Sequence, residues 1–467
     1  MKSSALLFLI VACGTSDTPP PTPQQRAPEP PAPRLAPGID LTGPIPLPDR
    51  SGPVRRGGPA PAPLELASDR AIEKLDVPTP PRGGSVGFRF ADDRAAWVAR
   101  IPEGNQLPAV AYGAGRVYIS GGFESVSFYA LDAETGRIDW ATTALEDNGP
   151  TAAIYDDGRV VFNTESCTLF ALDAKTGKRL WHKWLGDPTL AQTAVADGIV
   201  FAAHPAQGGQ RLSAYQVATG DQVWTRWVGS ELLVTPVVDG DSVYASTVEG
   251  LTFRIARKTG KVVWQRRLHA TTAPWIAGGE LFTTRRHGRN EQQIVVEAAT
   301  GKLLREHQVS KGAYVHDVPA TLENWKTVWA FEGSRPVVDR GVRYVAMGGE
   351  IHATDAQSGE PLWHRRFAQS ADARSLGTVA LAGSSIVVSA RNGTVFGLDV
   401  DTGYTLWSYD LGHAVVAQPV IAKGWLYAAT TDGYVIALQV GDASLDGWHM
   451  FGGNSHHSGL VEPKPSA

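Results

Sequence analysis

Cysteine is almost absent from this chain: there are two in 467 residues, Cys13 and Cys167. A disulfide framework of the kind that staples small secreted folds is therefore excluded. Charge is also thin, at 19% of residues with a formal net charge of −4 and a pI near 6.3. With no basic excess to neutralise phosphates, nucleic acid is not an expected partner. The apolar run Ala5–Ala12 is too short to cross a bilayer, and no other stretch is long and apolar enough for a transmembrane helix. Gly-x-Ser-x-Gly, His-Glu-x-x-His, P-loop and dinucleotide fingerprints are all missing, so none of those catalytic chemistries has a recognisable basis.

What is present is a phrase, Ala-x-Asp-x-x-Thr-Gly-x-x-x-Trp. Its first clear copy is Ala130, Asp132, Thr135, Gly136 and Trp140, and its second is Ala171, Asp173, Thr176, Gly177 and Trp181. Looser copies end at Trp224, Trp264, Trp363 and Trp407. The Gly of each Thr/Ser-Gly step falls at 136, 177, 220, 260, 301, 359 and 403, mostly 40 to 44 residues apart. That period suits four short strands with turns, stacked as similar units around a ring. Asp and Thr can bond nearby turn amides, and Gly can take positive φ. Ala leaves space that a Trp fills, with a ring N–H left for a partner. Two copies depart from the phrase: Arg254 replaces Ala at the Gly260 copy, and Val295 and Arg305 replace Ala and Trp at the Gly301 copy. Less regular contacts are expected there.

The expected architecture is all-β: an eight-bladed propeller of four-stranded antiparallel blades over residues 85–460. Trp97, in the run Ala95–Ile101, has no third strand before it, and the last unit, Trp425–Val440, has no Trp strand after it. Pairing the two closes the ring and removes an open edge. Seven blades is the alternative, if the Gly301 unit is incomplete. Trp97, Trp140, Trp181, Trp224, Trp264, Trp363 and Trp407 are the expected blade-docking residues.

The phrase resembles the tryptophan-docking motif of quinoprotein-type β-propellers, over roughly residues 86–459. Dehydrogenases of that group use the ring to hold pyrroloquinoline quinone and calcium beneath a vicinal Cys pair. This chain has no such pair, and neither a cofactor nor catalysis is expected. Its non-catalytic branch includes the lipid-anchored propeller of the outer-membrane β-barrel assembly machinery, a scaffold that docks through inter-blade loops. The chain is similar to that subunit in its repeats, its size and its N-terminus, and departs from it in a long Pro-rich segment and one insertion.

At the N-terminus, Ile10-Val11-Ala12-Cys13-Gly14 resembles the bacterial lipobox. The resemblance implies a signal peptide over 1–12, acylation of Cys13 and, with Gly14 following, sorting to the outer membrane. Cys167 would then be left alone, and a small partly buried residue is the expectation for it. Residues 13–84 read as an extended spacer, because nineteen of thirty-two prolines lie between Pro19 and Pro81. Residues 461–467 read as a disordered tail.

One interval breaks the period: Gly301 to Gly359 is 58 residues. Its excess around Ser310–Pro336 is aromatic-rich and reads equally as a loop folded back on its own blade or as a binding surface, for which Trp325, Trp329, Phe331 and Arg335 are the candidate partner contacts. The segment Gly447–Gly459 holds His449, His456 and His457. It resembles a packing segment of the same propellers, and no metal is expected there because adjacent histidines do not readily share one ion. The functional expectation is a monomeric envelope scaffold facing the periplasm or the cell surface, held to the membrane by lipid and binding protein partners. A small-ligand or glycan-binding propeller using the central funnel is the second possibility, and a quinone-dependent dehydrogenase the third.

Overall fold

The computed structural model describes residues 64–65, 71–90, 92–143, 145–164, 166–186, 191–232, 235–287, 290–311, 337–347, 350–367, 376–440 and 445–457. The described residues form eight sheets, each with a core of four antiparallel strands. In chain order the first strands of blades 1 to 8 are Ala111–Gly113, Ile154–Asp156, Ala194–Ala196, Val237–Asp239, Trp275–Ala277, Val337–Asp339, Ala380–Ala382 and Val420–Ala422. The Gly301 unit is a full blade, blade 5, whose second to fourth strands are Glu280–His287, Asn290–Glu297 and Leu303–Lys311. The count is therefore eight.

Closure follows the expected pairing. Ala95–Arg100 supplies the fourth strand of blade 8, antiparallel to Tyr434–Gln439, with Trp97 opposite Ala437. A strand contributed by the other end of the chain converts an open arc into a ring with no free terminal edge at the seam.

The hairpins explain why the period reads so clearly. Tight turns join first to second strands, and consecutive positive φ values at Asp197 (48°) and Gly198 (72°) give the twist that short hairpins require. In the phrase itself, Asp132 Oδ1 accepts from the Thr135 amide at 2.9 Å and the Thr135 hydroxyl at 2.7 Å. Asp173 with Thr176 and Asp399 with Thr402 repeat that pair. The Ala and the Trp of one copy lie opposite each other across a bulged hairpin: Ala130 faces Trp140, Ala171 faces Trp181 and Ala353 faces Trp363.

The N-terminal region is not separate from the ring up to residue 84. Ser85–Arg89 adds a fifth, antiparallel strand outside Ala95–Arg100 on blade 8. Glu73–Lys74 pairs in parallel with the outer strand of blade 7, Thr405–Asp410, and Leu64–Glu65 does the same on blade 6 against Pro361–Arg366. Leu75 is buried, and Phe90 packs beneath the Arg94 guanidinium, 4.3 Å from its ring centre.

Candidate functional site

The joints between blades set the geometry from which any partner surface is built. Each docking indole reaches forward to the next blade rather than filling space in its own. Trp97, Trp140, Trp181, Trp224, Trp264 and Trp363 donate their ring N–H to the carbonyls of Ala133, Ala174, Val217, Arg257, Ala298 and Val400, at 2.7 to 3.1 Å. The ring lies on the Gly of that neighbour's Thr-Gly turn. A Cβ at Gly136 would stand 2.3 Å from the Trp97 ring, and one at Gly177 2.5 Å from the Trp140 ring. The phrase Gly thus does two jobs, taking positive φ and leaving room for an indole.

Two further kinds of residue, each at four of the six docks, join them without being legible in the phrase. A second-strand tyrosine adds its hydroxyl to the same carbonyl: Tyr427 to Ala133, Tyr118 to Ala174, Tyr244 to Ala298 and Tyr344 to Val400, at 3.2 to 3.4 Å. One carbonyl has two lone pairs and so satisfies both buried donors. Burial pushes the phenols of Tyr118 and Tyr344 up to about 12, so both stay protonated donors. The residue two places after the Trp caps the next turn. Thr142 donates to Gly177, Arg226 to Gly260, Arg266 to Thr300 and Arg365 to Gly403, at 2.5 to 3.0 Å. A signal was available, since a Tyr recurs on second strands and Arg recurs after Trp.

The irregular copies behave unequally. Arg254 does not disturb its joint: Trp264 still docks, and Arg254 adds a bond to the Ala299 carbonyl at 2.7 Å. Arg305 cannot dock as an indole would, and instead forms a two-pronged pair with Glu280 in its own blade. Trp407 lies across from Gly397 in its own blade and stacks on Tyr409 at 5.4 Å. The following unit has no Thr-Gly turn to receive it, so Trp407 does not repeat the arrangement of the other six.

At the ring axis the C-terminal tail runs across the first strands of successive blades. Trp448 and Ile421 exchange backbone bonds on blade 8 at 2.9 and 3.1 Å. The carbonyls of His449, Ser455 and His456 then accept from Tyr112, Val195 and Val238 on blades 1, 3 and 4, at 2.6, 2.8 and 3.0 Å. On blade 2, Asp156 is raised above the usual carboxylate range mainly by burial, against the opposing effects of His456 and of a bond from Ser455. Trp448 and His457 are buried, and the two His457 ring nitrogens sit 2.7 and 2.6 Å from the carbonyls of Phe451 and Thr193. At the root of the tail, Asp446 bonds Lys423 and His449, both at 2.7 Å. A cavity of about 270 Å³ remains between the tail and blades 1 and 2, lined by Tyr112, Tyr155, Asp156, His449, Met450 and Asn454.

The rings of His449 and His457 therefore turn towards protein acceptors. Among the described residues no group of three His, Cys, Asp or Glu side chains could hold a metal ion. Cys167 is buried in a second-to-third-strand turn, at a φ of 63°. These residues do not fit a quinone with calcium, because the donor set and the vicinal thiols are lacking and the chain's own tail lines the axis.

Strand alternation puts the second-to-third turns and the inter-blade connections on one face of the ring. The strands that flank the insertion end at Lys311 and begin at Val337. Trp325, Trp329, Phe331 and Arg335 fall within 312–336, outside the described residues, as does Cys13.

A family model described as outer membrane protein assembly factor BamB matches residues 82–307 and 291–447. The chain belongs to the BamB family. BamB of Salmonella typhimurium is 27% identical over 177 residues, which cover 38% of this chain and 41% of that protein. BamB of Moranella endobia is 25% identical over 351 residues, covering 71% of this chain and 74% of its own length. The crystal structure of BamB from Moraxella catarrhalis superimposes with a TM-score of 0.57 at 20% identity, over 76% of this chain and all of that one. The match to the Salmonella relative thus spans under half of that protein. These BamB relatives are named as outer membrane protein assembly factors, and the Moraxella likeness carries the fold.

Proposed function

We propose that the protein is a non-catalytic, lipid-anchored scaffold of the bacterial outer membrane that holds protein partners during outer-membrane protein assembly. The single observation that carries the reading is membership of the BamB family across nearly the whole ring. Two features support it. The chain's own tail bonds to the first strands of blades 8, 1, 3 and 4 and so occupies positions along the axis that a sugar or quinone would use. The indole docks join successive blades into a rigid ring suited to presenting partner surfaces.

In this reading Cys13 carries the acyl chains and the Pro-rich segment before the ring spaces it from the membrane. Trp325, Trp329, Phe331 and Arg335 serve as partner anchors, since aromatic and Arg side chains give most of the binding energy at interfaces.

Affinity isolation of the full chain from crosslinked envelopes is the test. Recovery of assembly-machinery proteins, lost in a Trp325→Ala/Trp329→Ala variant, is the expected result. Saturable glycan binding with no protein recovered would refute the scaffold. In parallel, Cys13→Ser should move the protein from the membrane pellet to the supernatant, and a variant that still sediments removes the anchor from the reading.

A further inference from the structure

The rim of the ring already shows what it can take up. Two short segments of this chain lie on the outer strands of neighbouring blades in one repeated way. Leu64 and Glu65 pair in parallel with Arg365 and Arg366, the second and third residues after Trp363. Glu73 and Lys74 pair in parallel with Tyr409 and Asp410, the second and third residues after Trp407. The sense and the register are the same, so the outer edge of a blade is a template for an added strand, with its alternate N–H and C=O groups facing outwards.

Blades 2, 3 and 4 present the same edge with no strand upon it among the described residues. Their outer strands are Arg179–Trp184, Gln222–Gly229 and Val262–Arg267. At the register position of Arg365 they carry Lys183, Arg226 and Arg266, of which the two arginines also bond the carbonyls of Gly260 and Thr300 across the joint. Just before the docking Trp each exposes an aliphatic side chain, Leu180, Val223 or Val263. On blade 2, Leu180 (44% exposed) shares the outward side of the strand with Trp184, which is 65% exposed. A bare edge strand is a pairing template that proteins usually cover, and Trp184 is the most exposed of the large hydrophobic side chains among the described residues.

We propose that the outer edges of blades 2 to 4 are a second docking surface, which takes up an extended strand of a partner protein, parallel to the blade's outer strand and made of alternating acidic and aliphatic residues. The chemistry is that of the chain's own docked segments, Leu64-Glu65 and Glu73-Lys74-Leu75, each of which joins an acidic to an aliphatic residue, with Glu65 opposite Arg366 and Glu73 opposite Tyr409. The inference deepens the assembly reading by stating the form in which a partner is held. It stands or falls separately, because its test needs no envelope and no native partner.

The test is hydrogen exchange on the full-length chain, with and without a synthetic peptide of its own residues 63–76. The outward-facing alternate amides of 180–184 should exchange quickly in the free chain and slow once peptide is added, with saturable binding. Leu180→Asp/Trp184→Asp should weaken that binding by about tenfold, while exchange elsewhere in the ring stays as in wild type. Leu362→Asp, on the occupied edge of blade 6, should leave it within about twofold. Protection of the outward-facing amides of 180–184 in the free chain would mean that another part of this chain is the occupant, and would overturn the proposal. Protection confined to 361–366 or 405–410, or no binding, would overturn it equally.

Discussion

Trp97 donates its indole N–H to the carbonyl of Ala133 at 3.0 Å, and this bond links the strand that closes the ring to the blade that follows it. Tyr427, on the second strand of blade 8, donates to the same carbonyl at 3.2 Å. Residues near both ends of the ring therefore meet at one acceptor.

Trp97 is 1% exposed. Removing so enclosed a ring should cost about 3–5 kcal/mol in Trp97→Ala, read by chemical denaturation. Because the lost contact is the seam of the ring, hydrogen exchange at 434–439 should rise as well. A loss below about 1 kcal/mol would show that the seam does not depend on this indole.

Gly136 and Gly158 separate two roles of turn glycine. Both have positive φ, 68° and 75°, but a Cβ at Gly136 meets the Trp97 ring, whereas one at Gly158 meets nothing within 4 Å. Gly158→Ala should cost about 1 kcal/mol, the backbone penalty alone. Gly136→Ala should cost clearly more, and its excess should shrink in a Trp97→Ala background. Equal costs at the two positions would exclude the indole contact as the reason for Gly136.

The tail is predicted to loosen in acid. Burial acts to raise the Asp446 carboxyl, but bonds from Lys423 and His449 outweigh it and bring it down to about 2. Since the folded value lies below the free carboxylate value, the stabilisation is fully present above about pH 4 and is lost as pH falls towards 2. Exchange at 445–457 should therefore rise through that window, and Asp446→Asn should flatten the change.

His457 should matter more than its lack of a catalytic role suggests. With carbonyls beside both ring nitrogens, His457→Leu strands buried acceptors at a cost of about 1–3 kcal/mol each. The measurable outcome is a lower melting temperature with faster exchange at 193–196. Unchanged exchange there would show that the tail is held by its backbone bonds alone.

The halves of each joint differ in how they can be read. Ala130 to Trp140 is a local hairpin, so its turn chemistry and register are written within eleven positions, and the blade count follows from repetition. The acceptor carbonyls are less legible, because any residue supplies a carbonyl and its place depends on the neighbouring blade. The same holds for the tyrosine hydroxyls. Arg254 and Arg305 show the limit: both break the phrase, yet one keeps its indole dock and the other replaces it with an ion pair.

The sequence by itself determined a ring of eight similar units, sealed by a strand from the other end of the chain, because hydrophobic period and turn residues act over short distances. Only the tertiary structure decided that the tail crosses the axis and that segments before residue 84 lie along the rim. Those placements rest on backbone bonds such as Val195 to Ser455 and Leu75 to Asp410. Backbone donors and acceptors are common to almost every residue, so no side-chain pattern announces which distant strand they will meet.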